Sequence, residues 1–298
     1  MSAPVLFAIC TAIWGSTWMA ITWQLGVVPP EVSIVYRFTL AGGLIGAWCV
    51  ATGRSLAFAR RDHLWLAAWG STFFGLNYVG VYYAESYVSS GLVAVVFATI
   101  VFMSAVGMRI VFGTPLTARI LLAATLGVSG VTLLFLPELG RAREGANAAL
   151  GIAWAFAATA IATAGNLFAV RNQRNGLPLF PTTAWGMLYG AGVAAIFALV
   201  SGARWTFDPG APYVLSLVYL AVLGSIVAFG AYLTLLKHVG AGPASYVGVS
   251  TPVIAMLLST FFEGYRWTWV GVLGVALAIA GNVLALRKGP TRMSTAPR

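Results

Sequence analysis

The chain has 298 residues, of which 60% are hydrophobic and only 8% charged, with a mean hydropathy of +0.89 and a formal net charge of +10. A soluble domain carries about 25% charged residues, so this composition excludes one and points to a bilayer. The basic excess alone would admit a nucleic-acid partner, and the placement of the charges removes that reading.

A membrane-spanning helix needs about 20 apolar residues. Such runs follow one another at 4–24, 30–50, 64–84, 88–110, 117–136, 148–170, 181–200, 213–236, 243–262 and 267–286. They are continuous, whereas a β-barrel would show roughly 10-residue alternating segments. The expectation is an all-α integral membrane protein with ten transmembrane helices. The first run is not a cleaved signal, because Met1 to Pro4 holds no Lys or Arg and the apolar stretch continues past Trp18. Cys10 and Cys49 both lie inside apolar runs, which suggests neither a disulfide framework nor a metal site, and no cofactor is expected.

Helical geometry then sorts the polar and aromatic residues by face. In the first run Cys10, Thr11, Trp14, Thr17 and Trp18 fall within about 120°. The second holds Arg37, the one cation away from the ends of a predicted span. An arginine at a helix centre costs roughly 2.5–3.5 kcal/mol, so it needs a partner, a snorkelling route or a function. Arg37 is therefore a candidate counter-charge for a substrate carboxylate. In the third run Ser71, Phe74, Tyr78, Tyr82 and Glu85 share an arc of about 80°, with Asn77 at its edge and Tyr83 pointing elsewhere. Tyrosine offers apolar area with a polar tip and suits planar organic solutes; an interfacial aromatic belt is the alternative for Tyr82, Tyr83 and Tyr87.

Downstream, the fourth run gathers Ser89, Ser90, Phe97 and Ser104, and the sixth gathers Thr159, Thr163 and Asn166. The ninth offers Tyr246 and Ser250 beside Pro252, which removes a backbone hydrogen bond and is a candidate hinge. Glu85 is a candidate gate residue. These faces are expected to converge on one cavity, against the alternative of ordinary helix contact through small hydroxyl residues. Gly42 with Gly46, and Gly186 with Gly190, have the spacing that packs helices closely.

The two halves of the chain echo one another. At an offset of 152, Val95, Thr99 and Val101 meet Val247, Thr251 and Val253; at 151, Thr117, Leu122, Leu126 and Gly130 meet Thr268, Leu273, Leu277 and Gly281. A repeat of five helices re-enters the membrane from the opposite side, so two inverted halves are expected, at 1–140 and 147–287, followed by a tail at 288–298. Counting links alternately, one side holds Arg54, Arg60, Arg61, Arg109, Arg119, Arg171, Arg174, Lys237, Arg287, Lys288, Arg292 and Arg298. The other holds Arg141, Arg143, Arg204 and Arg266. This asymmetry places both termini in the cytoplasm and makes the basic excess a topology signal, not a nucleic-acid surface.

AIWGSTW (Ala12 to Trp18), the paired halves and GPASYVGVSTPVIAMLLSTFFEG (Gly242 to Gly264) resemble the EamA-type carriers of the drug/metabolite transporter superfamily. Within it the chain looks most like the bacterial aromatic amino-acid exporters. The resemblance implies a multi-pass protein of the bacterial inner membrane that exports small metabolites, with Phe, Tyr and Trp as substrates. Exporters of Thr or homoserine, a Cys derivative or a purine are the alternatives. No H-E-x-x-H, C-x-x-C or Walker loop is present, which argues against an enzyme. The expected substrate-binding residues are Trp14, Trp18, Asn77, Tyr78, Tyr82, Phe97, Thr163, Asn166, Tyr246 and Ser250. The expected partners are a small molecule and the lipid bilayer, with the chain a monomer or weak dimer.

Overall fold

A computed structural model describes residues 1–141, 148–239 and 246–286. Helices α1 (Ala3–Thr22) and α2 (Pro30–Ala51) come first. The third apolar run is α3 (Arg60–Gly70), a π-helical turn π1 (Ser71–Leu76) and α4 (Asn77–Glu85). Next come α5 (Ser90–Phe97), α6 (Ile100–Phe112), α7 (Ala118–Arg141), α8 (Ala148–Arg174) and α9 (Leu179–Val200). The chain continues through α10 (Ala211–Val218), a second π-helical stretch π2 (Tyr219–Val227), α11 (Ala228–Val239), α12 (Tyr246–Phe262) and α13 (Trp269–Leu286). The described residues contain no strand. Among the described residues, helix covers most of each predicted apolar run, and six helical stretches are long and apolar enough to cross a membrane.

Three features depart from the regular helices that periodicity suggests. The run at 88–110 breaks between α5 and α6, where Thr99 N–H and Thr99 Oγ1 both donate to the Val96 carbonyl and tighten the turn. The two π stretches widen the turn, and such bulges gather at functional sites. In π2 the widened turn is visible in Ser225 Oγ, which donates five residues back to the Leu220 carbonyl. α12, by contrast, runs unbroken through Pro252. Gly113 closes α6 in the left-handed conformation, with φ of 70°, which glycine adopts without strain.

Packing is set by where backbones approach. α7 lies along α13 and α2 along α9. On the α7–α13 seam a Cβ on Gly130 would stand 2.5 Å from the Ala278 nitrogen, and one on Gly281 would stand 2.6 Å from the Ala123 carbonyl oxygen, so the seam tolerates only hydrogen there. α1 packs on α11 and α12, and α4 packs on α8. The main core runs through Phe38, Trp69, Phe74, Tyr82 and Met256, so aromatic area from α2 to α4 sits at the centre of the bundle.

Candidate functional site

Arg37 is buried in the middle of α2, and its surroundings define the site. Its guanidinium carbon lies 4.6 Å from the Tyr78 ring centroid and 5.0 Å from that of Phe38, and those two rings meet edge to face at 4.8 Å. Such stacking stabilises a desolvated cation by roughly 2 kcal/mol. It still leaves Nε and Nη1 buried with no hydrogen-bond partner among the described residues.

One turn along α4, the fully buried Tyr82 donates its hydroxyl to Gln24 Oε1 at 2.5 Å. One turn further, Glu85 is buried with both carboxylate oxygens unpartnered, within range of the opposite charge of Arg37 and the like charge of Glu263. Buried charges are normally paired and fully hydrogen-bonded. Here a cation and a carboxyl group each hold hydrogen-bonding capacity in reserve along one aromatic face.

Glu263 is better satisfied. Its carboxylate accepts from Ser90 N at 3.1 Å, from Ser90 Oγ at 2.7 Å and, in a very short contact, from Ser259 Oγ. Gly91 N–H in turn donates to Ser259 Oγ at 2.8 Å. The anion thus caps the first turn of α5, where unpaired N–H groups and the helix dipole favour it, and joins α5 to the end of α12.

A second aromatic group adjoins the first. Trp14 donates its indole N–H to the Gly224 carbonyl at 3.1 Å and packs on Phe229 and Tyr232. Gly224 belongs to π2, and a Cβ there would lie 2.9 Å from Thr17 Cγ2 and 4.0 Å from Arg37 Nη2. The π stretch therefore brings bare backbone between Trp14 and Arg37. Trp18 meets Phe97 edge to face at 5.3 Å.

Other expected residues are committed locally. Asn77 donates to the Phe73 carbonyl within its own helix, leaving Oδ1 buried without a partner, and Thr163 donates to the Thr159 carbonyl. Asn166 reaches Ser104 Oγ at 3.3 Å, joining α8 to α6. Tyr83 stacks on Trp154 at 5.1 Å and donates to Glu31, in keeping with its separate face. Ser250 is half-buried on α12. Pro252 faces a small void beside Val95, Ala98 and Asn282. The Tyr246 side chain and the tail at 288–298 lie outside the described residues.

The structure thus joins Arg37, Tyr78, Tyr82 and Glu85 in one cluster and sets Trp14 beside it. None of the expected site residues lines the cavity of about 600 Å³ between α2, α9 and π2. Sequence reasoning passed over Gln24, Phe38 and Gly224. A glutamine at the end of an apolar run was a signal for the first, whereas nothing in composition marks a π-helical glycine.

The model of the EamA-like transporter family matches residues 1–136 and again 149–287. The chain belongs to this family. As an EamA-like chain it is 29% identical over 281 residues to the uncharacterized inner membrane transporter YedA of Escherichia coli (strain K12), covering 92% of this chain and 88% of that protein. A shorter likeness, 37% over 89 residues, links it to a probable terminal-alkyne amino-acid exporter of Streptantibioticus cattleyicolor, covering 28% of this chain and 30% of that one. A solved crystal structure shares the fold at a TM-score of 0.66 and 19% identity, over 95% of this chain and 96% of the other. An EamA-like membrane transporter is thereby established. The inner membrane is where its YedA relative resides.

Proposed function

We propose that this EamA-like transporter exports α-amino acids from the cytoplasm, aromatic ones foremost, by alternating access around the Arg37–Tyr78–Tyr82–Glu85 cluster. The observation that carries the reading is a buried guanidinium and a buried carboxyl group, each with unpartnered hydrogen-bonding atoms, along one aromatic face. An amino acid presents a carboxylate, an ammonium and a side chain, and these match Arg37, Glu85 and the Phe38, Tyr78 and Trp14 rings in turn. Charged hydrogen bonds are worth about 1.5–3 kcal/mol each, enough to select a zwitterion over a neutral analogue. The exporter segment shared with the alkyne amino-acid protein favours the same class and keeps a non-aromatic amino acid such as Thr, homoserine or a Cys derivative as the second reading.

The chain is read as ten transmembrane helices in two inverted halves, 1–140 and 147–287, with both termini cytoplasmic. Two facts support this. The family model matches twice, and π1 and π2 occur at similar depths within the two matched segments. The halves rock about the cluster, Glu85 and Glu263 closing it on the outer side and Pro252 serving as a hinge in α12.

The test is uptake of radiolabelled Trp, Phe, Thr and adenine into liposomes carrying the pure protein, with and without an imposed proton gradient. Saturable flux of Trp and Phe exceeding Thr and adenine is expected. Preference for Thr would move the substrate to the second reading, and preference for adenine would overturn the amino-acid assignment.

A further inference from the structure

The cavity of about 600 Å³ meets the aromatic group through Phe229, which packs on Trp14, but is lined by none of Arg37, Tyr78, Tyr82 and Glu85. Its walls are Leu44, Ile45 and Trp48 of α2, Phe180 of α9, and Ile226 and Phe229 of the π2–α11 helix, together with smaller neighbours. The two hydroxyls present are already engaged within their own helices, Thr183 Oγ1 donating to the Leu179 carbonyl at 2.8 Å and Ser225 Oγ to that of Leu220 at 3.0 Å. Most of this wall is apolar and offers little to a polar solute, while the volume falls in the range of roughly 300–1,000 Å³ typical of ligand sites. Leu44 and Trp48 are 41% and 42% exposed, so the mouth opens on the outer flank of helices apolar enough to span a bilayer. What faces that flank is hydrocarbon.

One end of the groove carries a fixed cation. Arg54, exposed just beyond α2, holds its guanidinium carbon 4.8 Å from the Trp48 ring and 5.4 Å from the Phe180 ring, two of the rings that line the groove. No acidic side chain pairs with it among the described residues. An apolar slot ending in an uncommitted guanidinium has the chemistry of an anionic phospholipid, and Arg is the side chain best shaped for a phosphate. Basic pockets between membrane helices are known to take acidic headgroups in this way.

We infer that the groove holds one anionic phospholipid of the leaflet that Arg54 faces, its acyl chain along Trp48, Phe180 and Phe229 and its phosphate on Arg54. Lipid tails are as apolar as the groove, so the chain's transfer from bilayer to wall discriminates little. Selectivity rests on the headgroup, and one Arg at the surface gives a preference of about fivefold. The inference depends on membrane embedding alone and stands whatever the transported substrate proves to be.

The experiment is native mass spectrometry of the purified full chain in detergent, titrated with phosphatidylglycerol or with phosphatidylcholine of the same chain length. A single phosphatidylglycerol adduct about fivefold tighter than the phosphatidylcholine adduct is expected. Arg54→Gln should bring the two to equality, and Arg54→Lys should retain part of the difference. Gly230 lines the groove with nothing within 4 Å of its Cβ position, so Gly230→Phe should fill it and abolish both adducts. Glycerol 3-phosphate, a headgroup without a tail, should not compete. A diazirine on the acyl chain of phosphatidylglycerol should label peptides holding Trp48 or Phe180 in the unmutated protein, a readout that needs no variant to fold. Equal binding of the two lipids to the unmutated chain, or labelling confined to other helices, would overturn the assignment.

Discussion

Arg37 and Glu85 both lie in the interior with hydrogen-bonding capacity in reserve, and single substitutions separate a binding role from a packing one. Arg37→Gln keeps much of the stem and removes the charge. The expected result is a KM for Trp raised about 10-fold or more with Vmax changed far less, as fits loss of one charged contact of about 1.5–3 kcal/mol. An unchanged KM in the liposome assay would leave Arg37 a packing residue. Tyr82→Phe behaves differently, because it strips Gln24 Oε1 of its donor in a site where Gln24 Nε2 already has no partner. A loss of roughly 1–3 kcal/mol of stability is expected, visible as a lower Tm in detergent. Much of this cluster was legible in the sequence. An intramembrane arginine and a tyrosine–glutamate ladder at helical spacing are both costly in lipid, and the cost is what made them visible. Gln24 and Phe38 were not, since their roles arise from what faces them across the bundle.

At the scale of elements, glycine decides where helices touch. Small residues four apart mark candidate seams, and Gly42, Gly186 and Gly190 do lie at close contacts, with Ala184, with the Trp69 ring and with the Gly70 carbonyl. Gly46, read by the same spacing, meets only Leu56 Cδ1 at 3.9 Å. The spacing identifies a face but not its partner. Gly130→Ala and Gly46→Ala therefore have opposite expectations. At Gly130 the methyl group has to displace backbone of α13, and a loss of about 1–3 kcal/mol is expected. At Gly46 there is room, and the better helix former leaves stability equal or slightly raised, by up to about 1 kcal/mol. Thermal denaturation of the two variants in the same detergent checks both. The π stretches mark where sequence reading stopped: a widened turn has no composition signature, so the 100° count that grouped Tyr78, Tyr82 and Glu85 on α4 does not carry through π1 to Ser71 and Phe74.

Across the whole molecule, hydropathy was enough to show a helical membrane protein because lipid forces every backbone polar group to be satisfied within its own segment. Which helix ends part during transport is a property of contacts between distant segments. The Glu263 carboxylate, held by Ser90 and Ser259, fastens the start of α5 to the end of α12, and Ser90 Oγ lies 3.2 Å from Ser259 Oγ. If the halves rock about the central cluster, this contact has to open once in each cycle. Replacing both serines by cysteine, in a background with Cys10 and Cys49 changed to alanine, places two thiols where those hydroxyls meet. Oxidation is expected to lock the contact and stop Trp flux, and reduction to restore it. The same oxidation of either single variant should leave flux unchanged, which separates locking from damage. Glu263→Gln gives an independent reading, because it weakens the bonds at the α5 N-terminus without a crosslink. A contact that holds the outer side closed should then release more readily, with a changed turnover rate and a nearly constant KM. Full flux through the oxidised double-cysteine protein, with the disulfide confirmed by mass spectrometry, would show that α5 and α12 move as one body and that the opening lies elsewhere.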